Sequence, residues 1–381
     1  MSGDAPRLAM VAGETSGDLL AGLLMRGIQA RWPQARCAGI GGPRMAARGF
    51  DAWWPSDKLA VRGYVEVLRH YAEISGIRRQ LAKRLLAERP DAFIGVDAPD
   101  FNLGLETRLR EAGVRTIHFV CPSIWAWRAG RVKKIARAVD HVLCLFPFEP
   151  AILARAGVAA TFVGHPLADA IDLEPPRASS RRILGLGEHD AVIAVLPGSR
   201  RSEITYNAPA FLAAAALLAV QRPEVKFLLP VAPGLRPMIE PLLAQWAPSA
   251  PIKLLDGLSH EALAACDVTL IASGTATLEA ALFKRPMVIG YRMHPLTWQL
   301  MKRMRLQPWV GLPNILCGEF VVPELLQHEA SPQALAGAVG SWLDAPARCE
   351  ALAQRFGELH LQLRQDTATK ATDAIAEVLA R

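Results

Sequence analysis

Short apolar runs alternate with stretches of helical period along nearly the whole chain, and this alternation limits the fold more than any other feature. In the first half, runs near residues 8–12, 36–40, 92–97, 115–120, 141–145 and 160–163 predict strands, with helices between them such as 17–31 and 67–88. The pattern stops at "DLEPPRASSRR" (172–182), which is Pro/Ser-rich and aperiodic. It restarts with strands near 191–196, 225–230, 252–255, 267–271 and 286–290, and from about 331 the chain reads as purely helical. Repeated βα units imply parallel sheets covered by helices on both faces. The expected fold is therefore α/β: two doubly wound, Rossmann-like domains with a cleft between them and a helical C-terminal tail. The expected boundaries are 1–171, a linker at 172–182, a second domain at 183–345, and a tail at 346–381 that could pack back on the first domain. A length of 381 residues agrees, being too great for one comfortable core.

Hydrophobic residues at 51% and charged residues at 21% describe a folded chain. No apolar run approaches the roughly 20 residues that span a bilayer, and "LAMVA" (8–12) is too short for a signal-peptide core. A cytoplasmic protein is expected. The six cysteines form no C-x-x-C pair and the nine histidines no H-E-x-x-H, so reduced thiols and no metal are expected. The net charge of +7 invites an anionic partner. No helix-turn-helix or RNA-recognition signature accompanies it, so nucleic acid is not the expected one. Three basic, apolar segments suggest a membrane surface instead: "VLRHYAEISGIRRQLAKRLL" (67–86), "SIWAWRAGRVKKIARA" (123–138) and "HPLTWQLMKRMRLQPWV" (294–310). Each could equally be an amphipathic core helix with a solvated basic face. Trp125, Trp127, Arg128 and Trp298 are the candidate contacts.

In open parallel sheets, ligands gather beyond the carboxyl ends of the strands, and four such ends stand out. "MVAGETSGD" (10–18) lacks G-x-G-x-x-G, and Thr15 with Asp18 reads as a capping box using Asp for Glu. In "FIGVDAPDFN" (93–102), Asp97 ends a buried strand, where partial desolvation would suit it to general-base work. It could also simply anchor the loop, and Asp100 is better placed to cap the following helix. "VLPGSRRSEI" (195–204) offers a Pro-Gly turn, Ser199 and Arg200 ahead of a helix, a cradle for an anion but not a Walker A loop. "IASGTATLEA" (271–280) sets Ser273, Gly274, Thr275 and Thr277 at a helix start and Glu279 one turn on. Helix capping alone would explain it. Taken with Arg200, the phosphates of a nucleoside diphosphate on bare amides and its ribose on Glu279 explain it better.

The ordered set "VAGETSGD", "GVDAPDFN", "PSIWAWR", "LPGSR", "ASGTATLE" and "LPN" (312–314), spread over essentially the full chain, resembles the lipid-A-disaccharide synthase family. The resemblance implies the two-domain GT-B fold, with the donor held by the C-terminal half. It implies an inverting transfer of 2,3-diacylglucosamine from UDP-2,3-diacylglucosamine to 2,3-diacylglucosamine 1-phosphate, giving a β-1,6-linked disaccharide and UDP. It places the enzyme on the cytoplasmic face of the inner membrane, with homodimers in some members through exchanged C-terminal segments. Carried over by position, Asp97 matches the base, Arg200 a diphosphate contact, and Glu279 and Asn314 nucleoside contacts; Gly257 and Leu258 fall where the uracil is held. Where relatives read L-A-V-M-G this chain has "LAVRG", which puts Arg62 near the lipid acceptor. No cofactor is implied, and no D-x-D pair stands at a suitable strand end for a metal. The competing readings are another UDP-sugar enzyme of this fold, such as an epimerase or N-acetylglucosaminyltransferase, and a non-catalytic membrane-bound sensor of UDP-sugars.

Overall fold

The computed structural model describes residues 5–13, 15–56, 59 and 64–381, and the chain divides into two compact units. Unit one comprises Met1–Asp169 with Leu363–Arg381, and unit two Ala170–Gln362. The first holds seven parallel strands: β1 (Arg7–Ala12), β2 (Arg36–Gly41), β3 (Asp51–Pro55), β4 (Ala92–Val96), β5 (Arg115–Phe119), β6 (His141–Cys144) and β7 (Ala160–Phe162), ordered β3-β2-β1-β4-β5-β6-β7. The second holds six: β8 (Val192–Leu196), β9 (Lys226–Val231), β10 (Ile252–Asp256), β11 (Val268–Ala272), β12 (Met287–Tyr291) and β13 (Glu324–Leu326), ordered β10-β9-β8-β11-β12-β13. Both sheets wind outward from their first strand and then reverse, between β1 and β4 in one and between β8 and β11 in the other. That reversal is the switch point at which such sheets open a ligand crevice.

The central strands AFIGV and VTLIA are buried at every position, because helices cover both faces and leave no solvent side for alternation. In unit one, Leu8, Met10, Ile94 and Phe119 pack on one face with Leu24, Met25 and Ile28 of the helix Thr15–Arg31. The C-terminal helix Thr367–Leu379 completes that layer through Ala371, Ile375 and Val378. On the opposite face, Ile77, Leu81 and Leu85 of the helix Tyr64–Glu88 meet Val11, Phe93 and Leu105.

Two strands have no counterpart among the apolar runs. Both are edge strands, and neither β3 nor β13 contains a buried residue. The aperiodic stretch 172–182 contains most of a helix, Arg177–Ile183, pinned to unit two by Arg177 and Arg181 on Asp267 at 2.5 and 3.2 Å. The helix Arg201–Gln221 is long and apolar enough to cross a membrane, against the expectation from the apolar runs, but half of that stretch is buried inside the protein. Phe211, Leu212 and Ala215 are among its buried residues.

Candidate active site

Beyond the carboxyl ends of β8, β9, β11 and β12, unit two opens a cavity of about 460 Å³. Ser199, Arg200, Gly257, Ser273, Gly274, Thr275 and Glu279 all line it, together with Glu203 and Tyr291. The sequence thus brings seven of its ten donor candidates to one place.

Two of the helix starts facing this cavity are built differently. At the start of the helix Arg201–Gln221, Glu203 reaches back, and its Oε2 accepts from the Ser199 and Arg200 amides at 2.9 and 3.2 Å. The amides expected to cradle an anion there are already bonded to an internal carboxylate, as in a capping box. What the loop offers a ligand is the exposed Arg200 guanidinium, which lies 3.5 Å from Glu203 Oε1. The helix Thr275–Leu282 has no side-chain cap and no acid in its first turn. Its first amides therefore keep the positive end of the dipole available to an anion. Gly274 makes this possible: its φ of +156° and ψ of −166° lie in a region open essentially to glycine alone, and a Cβ there would meet nothing within 4 Å.

Glu279 is partly buried, with Oε2 3.5 Å from His260 Nε2. Sequence reasoning missed His260. Its hydrogen bond to Glu279 raises its pKa against the pull of partial burial, so the pair shares charge beside the cavity. The only signal was its place in the first turn of the helix Ser259–Ala265, directly after Gly257 and Leu258. Leu258 caps that helix in a left-handed conformation (φ +55°) and is exposed, but does not line the cavity.

Two donor candidates have a role in the scaffold. Thr277 is buried and donates to Gly274 O at 2.8 Å, tightening the turn. Asn314 is fully buried with all its hydrogen-bonding capacity used. Its Nδ2 donates to Val322 O and Glu324 Oε1, and its Oδ1 accepts from the Val321 and Val322 amides, all within 3.0 Å. It organises the loop before β13. Ser273 lines the cavity while donating to Val310 O at 3.0 Å.

In unit one, Asp97 follows β4 in a left-handed conformation (φ +51°), as does Ala98 (φ +43°). Such non-glycine residues cost about 1–2 kcal/mol each, so two in succession need support. Asn102 Nδ2 donates to Asp97 O at 2.8 Å, and the Asp97 amide donates to Phe119 O at 2.9 Å. Asp100 is exposed and paired with Arg131 at 2.6 Å. Asp18 reaches beyond its own helix. It is buried, and its carboxylate accepts from the amides of Gly42, Arg44 and Met45 at 2.9–3.1 Å, holding the turn after β2.

Of the three basic, apolar segments, two turn their described apolar side chains inward. The helix Tyr64–Glu88 buries Ile77, Leu81 and Leu85. Trp125 is also core: its Nε1 donates to Glu149 Oε1 at 2.9 Å, and its ring stands edge-on to Phe146 and Phe148. Trp127 is half-buried, with the exposed Arg128 guanidinium 4.3 Å above its ring. The third segment differs. The helix Pro295–Met304 buries none of its residues; Leu296, Leu300 and the following Leu306 are 75%, 55% and 54% exposed, and Trp298 is half-buried. Arg62 lies outside the described residues.

All six cysteines are free, and Cys37, Cys121, Cys144 and Cys266 are buried. Among the described residues one trio, Cys121, Cys144 and Glu149, lies close enough to share an ion. Both Glu149 oxygens already accept bonds, from Trp125 Nε1 and from the Phe146 amide at 3.0 Å, which marks the trio as core packing.

A family model described as lipid-A-disaccharide synthetase matches residues 8–378. Lipid-A-disaccharide synthases of Verminephrobacter eiseniae (strain EF01-2) and Albidiferax ferrireducens are 61% and 60% identical, each comparison covering 98% of this chain and 97% of the relative. Among solved structures, the UDP-GlcNAc 2-epimerase of Neisseria meningitidis bound to UDP-GlcNAc superposes with a TM-score of 0.66 at 12% identity, over 98% of this chain and 99% of that one. Anabaena HepE in complex with UDP and glucose gives a TM-score of 0.61 at 13% identity, over 99% and 100%. At such identities these two speak for the fold alone, the GT-B arrangement of two parallel sheets. The near-complete, high-identity matches speak for more: the chain belongs to the lipid-A-disaccharide synthase family and is a hexosyltransferase of lipid A biosynthesis.

Proposed function

We propose that the chain moves 2,3-diacylglucosamine from its UDP conjugate to the 6-hydroxyl of 2,3-diacylglucosamine 1-phosphate, with inversion, through the following division of roles. Asp97 takes the proton of the attacking hydroxyl as the new C–O bond forms and the bond to UDP breaks. Arg200 and the first amides of the helix Thr275–Leu282 balance the charge that builds on the departing diphosphate. Glu279, steadied by His260, accepts hydrogen bonds from the ribose hydroxyls, and backbone at Gly257 and Leu258 holds the uracil. Asn314 acts through the loop it organises. Asp97 is preferred to Asp100 because Asp100 is solvent-exposed and already paired with Arg131. The observation that carries the donor assignment is the meeting, in one cavity, of uncapped helix amides, a guanidinium and a carboxylate. An anion site alone would have no use for the carboxylate; a nucleoside diphosphate needs all three.

The acyl chains of both substrates require contact with a lipid surface, here the cytoplasmic face of the inner membrane. The exposed Leu296 and Leu300, next to Lys302 and Arg303, make the helix Pro295–Met304 the best-supported docking element. Replacing both leucines by serine should release the protein from anionic vesicles with UDP binding unchanged; undiminished vesicle binding would remove the helix from this role. A homodimer formed by exchange of the C-terminal helix is the assembly the resemblance suggests, and sedimentation of the full chain tests it.

The reaction is tested by UDP release from UDP-2,3-diacylglucosamine in detergent micelles, with and without the monosaccharide phosphate. Acceptor-dependent release with a disaccharide product is expected. UDP release without that product, or epimerisation of a UDP-sugar, would overturn the reading.

A further inference from the structure

Around the Asp97 turn, unit one buries a polar row that the roles above leave unused. Glu106 of the helix Pro99–Glu111 and His118 of β5 are both fully inaccessible, and His118 Nδ1 lies 2.7 Å from Glu106 Oε1. His118 stands in register with Gly95 of β4, two residues before Asp97. Asn102, one helical turn before Glu106 and on the same face, is the residue that holds Asp97 O. Gly95 completes the arrangement by having no side chain: a Cβ there would collide with Glu106 Oε1 and stand 2.9 Å from Asn102 Cβ.

Such a row is expensive. Asn102 Oδ1, Glu106 Oε2 and His118 Nε2 are buried with no hydrogen-bond partner in the protein, at about 1–3 kcal/mol each. Apolar residues of similar size would pack as well or better at these positions. The expense falls beside a turn in which two left-handed non-glycine residues, Asp97 and Ala98, follow one another.

We infer that Glu106 and His118 are positioning residues for Asp97: Glu106 fixes the imidazole ring through Nδ1, and the buried pair behind the turn holds the Asp97 carboxylate ionised and oriented to take the acceptor proton. The inference rests on the reading of Asp97 as the base. The charges around the ring agree with it. Burial opposes protonation of His118, but the adjoining Glu106 carboxylate overrides it by charge and by hydrogen bond, and Asp97 adds in the same direction. The opposing cation, Arg131, is itself paired with Asp100.

The test compares wild type, Glu106→Gln, His118→Gln and Asp97→Asn in the pH dependence of kcat, with UDP affinity as a control carried by unit two. Loss of a positive charge on the ring should move the acid limb of the kcat profile upward by about one pH unit in His118→Gln, and by less in Glu106→Gln, where the Glu106 negative charge leaves with it. It should lower kcat about tenfold while leaving KM and UDP affinity unchanged. Folded glutamine variants with the wild-type limb and kcat would overturn the inference. Asp97→Asn separates the two claims. If it retains wild-type turnover, the base reading fails; if it is inactive while both glutamine variants behave as wild type, only the positioning role fails. NMR of histidine-labelled wild type gives an answer independent of variant folding. A protonated His118 at neutral pH, with its titration displaced in Asp97→Asn, is expected, and a ring that stays neutral throughout the neutral range would overturn the inference.

Discussion

The turns after β4 and β11 occupy the same place in the two sheets, next to the first strand at the point where strand order reverses, yet they are built in opposite ways. After β4, two left-handed non-glycine residues are braced by Asn102, and the buried Glu–His pair behind Gly95 leaves no room for a methyl there. After β11, Gly274 takes a conformation open only to glycine, with empty space around it and no cap on the following helix. The first turn fixes one acid. The second leaves amides bare. A doubly wound sheet supplies a crevice, and the residues at its switch point decide whether that crevice holds a proton acceptor or an anion.

The largest expected effect comes from filling the first turn. Gly95→Ala should destabilise unit one by about 3 kcal/mol, the upper end for a methyl added to a packed core, read as a lowered Tm. Wild-type stability would show that the row behind Asp97 yields readily. The corresponding change in the second turn meets no neighbour. Gly274→Ala should lose roughly 2 kcal/mol to backbone strain alone, while UDP affinity falls as the helix start is displaced; unchanged UDP binding would separate those amides from the donor. Smaller still, Glu279→Gln should weaken UDP binding about tenfold, or 1.4 kcal/mol, by removing a charged acceptor. An unaltered affinity in titration calorimetry would take the ribose away from Glu279.

A separate, pH-dependent effect concerns buried titratable groups of unit one. Burial raises the Glu149 carboxyl from 4.5 to about 7, so the stability contributed by its protonated form is fully present below pH 4.5 and lost as pH rises through about 7. His165 behaves oppositely: burial lowers it from 6.5 to about 4, so the fold loses stability as pH falls from 6.5 to about 4. Melting curves of Glu149→Gln should lack the decline across neutral pH and keep the acid-side decline. A variant that still loses stability through pH 7 would remove Glu149 as its source.

Much of this comparison was legible in the sequence because it is local. Strands buried on both faces announce themselves as apolar runs, and the Gly, Ser and Thr cluster after β11 marks a bare helix start. The edge strands β3 and β13 were invisible because edges need not be apolar. Long-range partners were hidden as well. Nothing near Asp18 points to the amides of Gly42, Arg44 and Met45, and nothing in "LPN" reveals that Asn314 is saturated by the loop before β13. Glu203 was a partial exception, since an acid three residues into a helix is the signature of a reach-back cap. Trp125 misled because tryptophan beside arginine describes a membrane contact and a core aromatic equally well until burial is known.

The central claim is that the two turns divide the work, the first supplying the base and the second the nucleotide site. It is tested most directly by titrating UDP into Asp97→Asn and measuring turnover on the same preparation. The account predicts wild-type UDP affinity with turnover lowered about 100- to 10,000-fold. A variant that loses UDP affinity in step with turnover, or that turns over normally, would contradict it.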